Sequence, residues 1–298
     1  MHRRKFVRSA SLAFGTLAFN HQNFFKMLHD EPWKISMLTD SVGVFTERGG
    51  TIAFHFSKDG ITVIDAQFPD TAPHLISELK HRNDQPFRLL INTHHHGDHT
   101  SGNIAFKDVV SRVLAHTNSL ANQKNVAVAQ KKEDQQYYPT QTFGQVWEED
   151  AGREKITLHY FGAGHTNGDA MIHLKHANIV HMGDLVFNRR HPFVDRSAGA
   201  NMQSWMIVLD TAIKSFGSKT KFIFGHAGDG YDVTGTRDDL SAFRDYLGNV
   251  LKVVEREMKA GKSKDEILNI TEIPGSPQWQ GDGIQRPLQA AFEELSAA

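Results

Sequence analysis

The chain of 298 residues contains no cysteine. That one absence removes disulfide bonds, thiolate metal ligands and a cysteine nucleophile together, so any metal held here is held by nitrogen and oxygen. A dominant charge is missing as well: 33 Lys and Arg stand against 34 Asp and Glu. With no overall field to favour nucleic acid or an anionic membrane, the expected partner is a small molecule. No repeat, low-complexity stretch or Pro/Gly-rich linker divides the chain after its N-terminal segment, and the apolar stretch from Ser11 to Phe19 is too brief to span a bilayer. What is present is a 39% hydrophobic content, enough for a sizeable core, and an unusually large number of histidines, 18. Where those histidines fall decides what they mean.

The N-terminus reads as an export signal. His2-Arg3-Arg4-Lys5-Phe6-Val7-Arg8 resembles the bacterial twin-arginine motif, with Thr16 and Ala18 as small residues flanking a cleavage point after Ala18. Residues 1–30 are therefore read as a signal segment with a periplasmic or secreted destination; the competing reading is a basic N-terminal helix of a cytoplasmic protein. Residues 31–298 are read as one domain with a C-terminal helical extension.

Within that domain, Thr51 to Phe56 and Gly60 to Ile64 are apolar runs on either side of the turn-prone Ser57-Lys58-Asp59-Gly60, a hairpin pattern. Thr71 to Arg82 reads as a helix, and Phe87 to Asn92 as a buried strand that delivers the chain to a histidine cluster, after which Thr100 or Ser101 can cap a helix. Further strands are expected at residues 110–115, 156–161, 171–174, 179–182 and 221–224. Helices are expected at 118–130, 203–216 and 237–260, with two short ones around the Pro274 to Gly283 loop. Hairpins outnumber strand-helix-strand units, so the expectation is an α/β fold with mixed sheets and helices packed outside.

The chemistry starts at Thr93-His94-His95-His96-Gly97-Asp98-His99. In an extended backbone residues two apart project to the same side, so His94 and His96 can bite one ion while His95 points the other way. Gly97 permits a sharp turn that swings Asp98 and His99 toward a neighbouring position. One loop cannot complete two metal shells, and the chain supplies further donors: Gly164-His165-Thr166, Gly183-Asp184 and Gly225-His226 each follow an apolar strand. Rigid strand ends that present ligand-type side chains are the arrangement a cleft requires.

The ordered set His94-x-His96-x-Asp98-His99, His165, Asp184 and His226 resembles the pattern of the metallo-β-lactamase superfamily, over roughly Ser36 to Asp229. The resemblance implies a four-layer αβ/βα sandwich with two mixed β-sheets and a metal site at one edge between them. It implies that His94, His96 and His165 bind a first metal and Asp98, His99 and His226 a second, with Asp184 bridging both, and that Asp65 in Ile64-Asp65-Ala66 supports the histidine loop. The implied cofactors are two Zn2+ ions, with Mn2+ or Fe also compatible with the donor set. At the position of Asp184 lactamases of this superfamily carry Cys or Ser, whereas glyoxalase II, lactonase and phosphodiesterase branches carry Asp, so this chain departs from the namesake enzymes.

The activity implied is a dinuclear zinc-dependent hydrolase in which a metal-bridging hydroxide attacks a carbonyl centre of a lactone, ester, thioester or β-lactam, and Asp98 orients the water and takes its proton. The alternatives are a phosphodiesterase or nuclease of the same superfamily, an iron-dependent oxidoreductase such as a sulfur dioxygenase, and, last, a binding module. Among other residues, His116 is read as strand-end packing, and His173, His176 and His181 as solvent-facing. Asn188, Arg189, Arg190 and His191 can line the pocket mouth, where an Arg favours a carboxylate or phosphate. Tyr137, Tyr138 and Trp147 can form an apolar wall.

Overall fold

The computed structural model describes residues 32–297, so the twin-arginine-like stretch lies outside the described residues. Seven strands lie in chain order in a first sheet: β1 (Lys34–Met37), β2 (Val42–Thr46), β3 (Ile52–Ser57), β4 (Gly60–Ile64), β5 (Phe87–Ile91), β6 (Val113–His116) and β7 (Gln141–Phe143). The first four form an antiparallel meander, and β4 to β7 run parallel. Parallel pairing needs crossovers. These are supplied by α1 (Ala72–Arg82), by the short turn α2 (Gly97–Thr100) with the 3-10 segment after it, and by α3 (Thr117–Gln130). Pro73 in the first turn of α1 and the basic Lys80, His81 and Arg82 in its last turn suit the two ends of its dipole.

The second sheet contains β8 (Val146–Ala151), β9 (Glu154–His159), β10 (Met171–Leu174), β11 (Ile179–His181), β13 (Lys221–Ile223) and β15 (Thr234–Gly235), in the order β15-β13-β11-β10-β9-β8. A two-stranded piece, β12 (Phe187–Asn188) with β14 (His226–Ala227), sits beside the site. Helices α4 (Met202–Ser215), α5 (Arg237–Lys259), α6 (Lys264–Leu268) and α7 (Gln285–Ser296) complete the chain. Capping boxes start α5 at Thr236 with Asp239 and α6 at Ser263 with Glu266.

Three buried clusters define four layers. One joins α1 (Leu75, Leu79) to the outer face of the first sheet (Ile52, Phe54, Val63, Leu90). The second lies between the sheets, where Ala53, Leu89 and Ile91 meet Ile156, Ile172 and Ile223. The third joins Val180 and Phe222 to Trp205 of α4, Phe243 and Leu247 of α5 and Leu288 of α7. The switch of face between Ile52 and Ala53, or between Phe222 and Ile223, is the period-two alternation of a strand buried on both sides. The architecture is thus the α/β four-layer sandwich with two mixed sheets. No helix among the described residues is long and apolar enough to cross a membrane.

Local differences from the sequence reading have physical causes. Strands β1, β7 and β8 escape notice because they are short or half-exposed; Val-Trp-Glu-Glu-Asp-Ala of β8 carries three acids and pairs through its backbone with β9. Thr100 stands at the N-cap of the 3-10 segment Ser101–Phe106 but makes no side-chain capping bond, and Ser101 closes the preceding turn. The helical turn starts at Gly97 with His96 in the capping position, and the Thr100 hydroxyl bonds back to the carbonyl oxygens of His95 and His96.

Candidate metal centre

The C-terminal ends of β4, β5, β9, β11 and β13 open on one edge of the sandwich and bring Asp65, the 94–99 loop, His165, Asp184 and His226 together. All seven ligand-type residues expected from the sequence lie in two groups that can hold a metal ion. His94, His96, His165 and Asp184 form one, Asp98, His99 and His226 the other, with the ligand atoms within 4.8 Å of one another in each. In the first group His96 Nδ1 is 2.9 Å from His165 Nε2, and Asp184 Oδ2 is 3.5 Å from His165 Nε2 and 3.9 Å from His94 Nε2. In the second, His226 Nε2 is 3.1 Å from Asp98 Oδ2 and 3.4 Å from Asp184 Oδ2, while His99 Nε2 is 3.0 Å from Asp184 Oδ1. Asp184 therefore faces both.

The outward nitrogens of four imidazoles are tied to acceptors. His94 Nδ1 meets Thr93 Oγ1 at 3.0 Å, and that hydroxyl in turn donates to Asp65 Oδ2 at 2.8 Å. His99 Nδ1 meets Asp65 Oδ2 at 2.7 Å, His165 Nδ1 meets the carbonyl oxygen of Phe193 at 2.9 Å, and His96 Nε2 meets Asp195 Oδ2 at 2.9 Å. With the proton on the outward side, the inward nitrogens of His94, His96 and His165 present lone pairs, and that of His99 does so once its second proton has left. Two such lone pairs 2.9 Å apart, on His96 and His165, repel unless a cation lies against them. His94 Nε2 and Asp184 Oδ1 are buried with no hydrogen-bond partner; His99 Nε2 also lacks one, because its approach to Asp184 is not aligned as a hydrogen bond. Orphaned buried polar atoms of this kind are costly. A metal ion satisfies all of them, so the donor set fits.

The electrostatics of the two groups differ. Burial, reinforced by neighbouring His99, holds His94 well below the usual imidazole range, and burial beside His96 brings His165 down to about 3. In the other group burial works against charge, but Asp184 outweighs it and raises His226 to about 9; Asp184, Asp98 and Asp65 likewise raise His99. The carboxylates respond in kind. Burial alone would raise Asp98, yet His99 and His226 bring it to about 2, and His226 and His99 hold Asp184 well below the usual range.

Backbone walls one side of the centre. A Cβ on Gly225 would overlap Asp184 Oδ1, and one on Gly50 would overlap the His99 imidazole. Asp65 takes a left-handed backbone, φ 68, and Gln67 another, φ 51, strain that the surrounding hydrogen bonds sustain at a functional edge.

Asp195, absent from the sequence reading, accepts from His96 Nε2 at 2.9 Å, and His95 Nε2 lies 3.4 Å from the same oxygen. Burial opposes its charge, but those two histidines and Ser197 keep it well below the usual carboxylate range. His95 thus lies outside the two ligand groups and packs against the same carboxylate as His96. Above the centre is a cleft of about 320 Å³ lined by His96, Gly97, Asp98, Asp184, Phe187, Arg190, His191, Phe193, His226 and Arg286. Of the expected mouth residues, Arg190 and His191 line it; Asn188 bonds to the carbonyl of Asp232, and Arg189 turns to Asp239. Tyr137, Tyr138 and Trp147 are not among the lining residues, and the apolar walls are Phe187 and Phe193. His116 packs, stacked on Tyr160 with ring centroids 4.1 Å apart. His181, expected at the surface, is buried, because β11 lies inside the sheet and its imidazole reaches the Thr51 carbonyl of the other sheet at 3.0 Å. His176 is exposed and His173 half-buried.

A fold of two mixed sheets with paired His/Asp groups at one edge defines a class, and a sequence model of the metallo-beta-lactamase superfamily matches residues 47–227. The chain belongs to that superfamily, whose members are metal-dependent hydrolases. Among solved structures, a metallo-beta-lactamase from Pontibacter korlensis is similar with a TM-score of 0.61 at 19% sequence identity, over 73% of this chain and 99% of its own. The stereoselective inverting sec-alkylsulfatase Pisa1 from Pseudomonas sp. has a TM-score of 0.69 at 14% identity, over 87% of this chain and 49% of its own, so the present chain spans about half its length. At these identities the likeness shows the fold. No curated protein sequence matches the chain.

Proposed function

We propose that the protein is a dizinc hydrolase of small carbonyl substrates: a lactone, ester, thioester or β-lactam. His94, His96 and His165 would hold one ion, Asp98, His99 and His226 the other, and Asp184 would bind both. The observation that carries this reading is the set of four imidazoles whose outward nitrogens are hydrogen-bonded while their inward nitrogens converge. A bound metal pair supplies Lewis acidity for the carbonyl oxygen and a water acidified enough to act as nucleophile near neutral pH. Asp98 is part-exposed to the cleft and, with its carboxyl at about 2, stays ionised, so its oxygens accept from and orient a water. Phe187 and Phe193 narrow the cleft to bulk solvent.

A second reading, hydrolysis of a sulfuric or phosphoric ester, is supported by the arginines on the rim and by the extent of the alkylsulfatase likeness. Metal analysis by plasma mass spectrometry, with a panel of lactones, thioesters, phosphodiesters, alkyl sulfates and a chromogenic cephalosporin before and after chelation, separates these. Two zinc per chain and chelator-sensitive turnover support the hydrolase and name the bond. One iron per chain with oxygen consumption would replace it with an oxidoreductase. Export by the twin-arginine route is part of the same proposal, resting on residues 2–8, and N-terminal sequencing of the periplasmic protein tests it.

A further inference from the structure

We propose that Arg190 and Arg286 form an anion-binding rim over the metal centre, which selects substrates that join a carboxylate, sulfate or phosphate to an apolar group. The inference rests on the hydrolase reading for what then happens to that substrate, but the rim itself is argued from other residues.

Both arginines line the cleft whose floor holds Asp98, Asp184 and His226. Their neighbours in sequence have structural partners: Arg189 pairs with Asp239, and Arg196 with Glu294. Arg190 and Arg286, exposed at the mouth, make no ion pair with any described residue. The turn that aims Arg190 is strained. Arg189 takes a left-handed backbone, φ 54, and is pinned by Asn188, Asp239 and Gln278 beneath Tyr231 and Trp279. With Arg189 fixed on the α5 side, the next side chain is delivered to the cleft, and non-glycine strain of this kind is retained where a site needs it.

Arg286 has no stabilising reason to be where it is. It lies in the first turn of α7, a turn without any acidic residue, where the positive end of the helix dipole disfavours a cation. The segment that carries it is nonetheless firmly seated, since Trp279 and Ile284 are buried on either side of the 280–283 loop and Trp279 stacks on Tyr246 at 4.6 Å. An unpaired guanidinium on a seated segment at a cleft offers a fork of N–H donors to carboxylate, sulfate or phosphate oxygens. Between the arginines and the floor, Phe193 leaves 44% of its surface exposed, 5.5 Å ring to ring from His96. An exposed aromatic next to two free cations suits a ligand that is apolar where it meets Phe193 and anionic where it meets the rim.

The test is calorimetry on the zinc-loaded protein with three probes that share a phenylalkyl body: 4-phenylbutyrate, phenethyl sulfate and neutral 4-phenylbutyramide. The wild type is expected to bind at least one anion about tenfold or more tighter than the amide, and the preferred anion names the group. Arg190→Gln and Arg286→Gln should each weaken that anion by about ten- to a hundredfold, leave the amide within about twofold, and keep the wild-type zinc content; Arg286→Lys should fall between. Anion affinity unchanged in both Gln variants would mean the metals alone hold the anion, and an equal loss for the amide would mean a shape role; either overturns the rim. If no ester or sulfate is turned over but anion binding still depends on both arginines, the hydrolase reading fails and the rim stands. Turnover without preference for anionic members, with variants that bind like the wild type, gives the reverse.

Discussion

The two ligand groups that share Asp184 are built from the same residue types, yet their histidines differ in protonation. His94, His96 and His165 have no carboxylate of their own facing inward, and burial keeps His94 and His165 neutral. His99 and His226, held between Asp98 and Asp184, keep protons well above the usual imidazole range. In one group His94 and His165 offer bare lone pairs; in the other, protons stand where a cation would. A metal entering the first finds the donors ready, whereas a metal entering the second must displace protons. Loading is therefore expected to be sequential at neutral pH, with the His94 group first.

The largest break in that comparison is at the shared residue. Asp184→Ala should abolish metal retention in both groups and lower turnover by about a thousandfold or more, as read by metal analysis and initial rates; retention of two ions would refute the bridging role. Asp195→Ala removes the acceptor that fixes the His96 ring. It should weaken the first ion by about 10–100-fold and leave the second within a few-fold, measured by competition with a chromogenic chelator. If both ions weaken equally, Asp195 serves the fold and not one group.

Proton competition sharpens the difference further. Because His226 titrates at about 9 in the metal-free chain, affinity of the second group should rise about tenfold per pH unit below that value for each proton displaced, while the first group stays nearly flat from pH 6 to 9. Metal titrations across that range show one steep and one shallow site, or the asymmetry is wrong. The same shift sets stability. His226 is pushed above the ordinary imidazole range to about 9, so its ion pairing stabilises the metal-free fold fully below pH about 6.5 and is lost as pH rises through about 9. The Tm of the metal-free protein should accordingly fall over that window. The smallest effect is a packing one: Gly225→Ala, crowding Asp184, should cost about 1–3 kcal/mol in chemical denaturation.

The floor of the centre was legible in the sequence because each ligand follows an apolar strand, and a strand end is a place where local pattern fixes position. After the Ile156, Ile179 and Phe222 runs, His165, Asp184 and His226 are each weak signals alone, and it is their order behind the 94–99 motif that marks them. Of the rim, only Arg190 and His191 were legible. Asp195 sits 99 residues from His96 in a loop without periodicity, and Arg286 reaches the cleft only because α7 packs on α5. His181 was misread since a single strand pattern does not tell which of two packed sheets supplies its partner. The Phe193 carbonyl, which orients His165, leaves no trace in residue type at all.

The glycines at positions 50 and 225 limit where this protein can change. Since any side chain there would strike His99 or Asp184, that wall cannot be reshaped by mutation without crowding those two side chains. The opposite lip, carried by Arg190, Phe193 and the segment leading into Arg286, meets no such barrier. Drift in substrate range is thus channelled to one side, and a laboratory library aimed at new specificity should be confined to it.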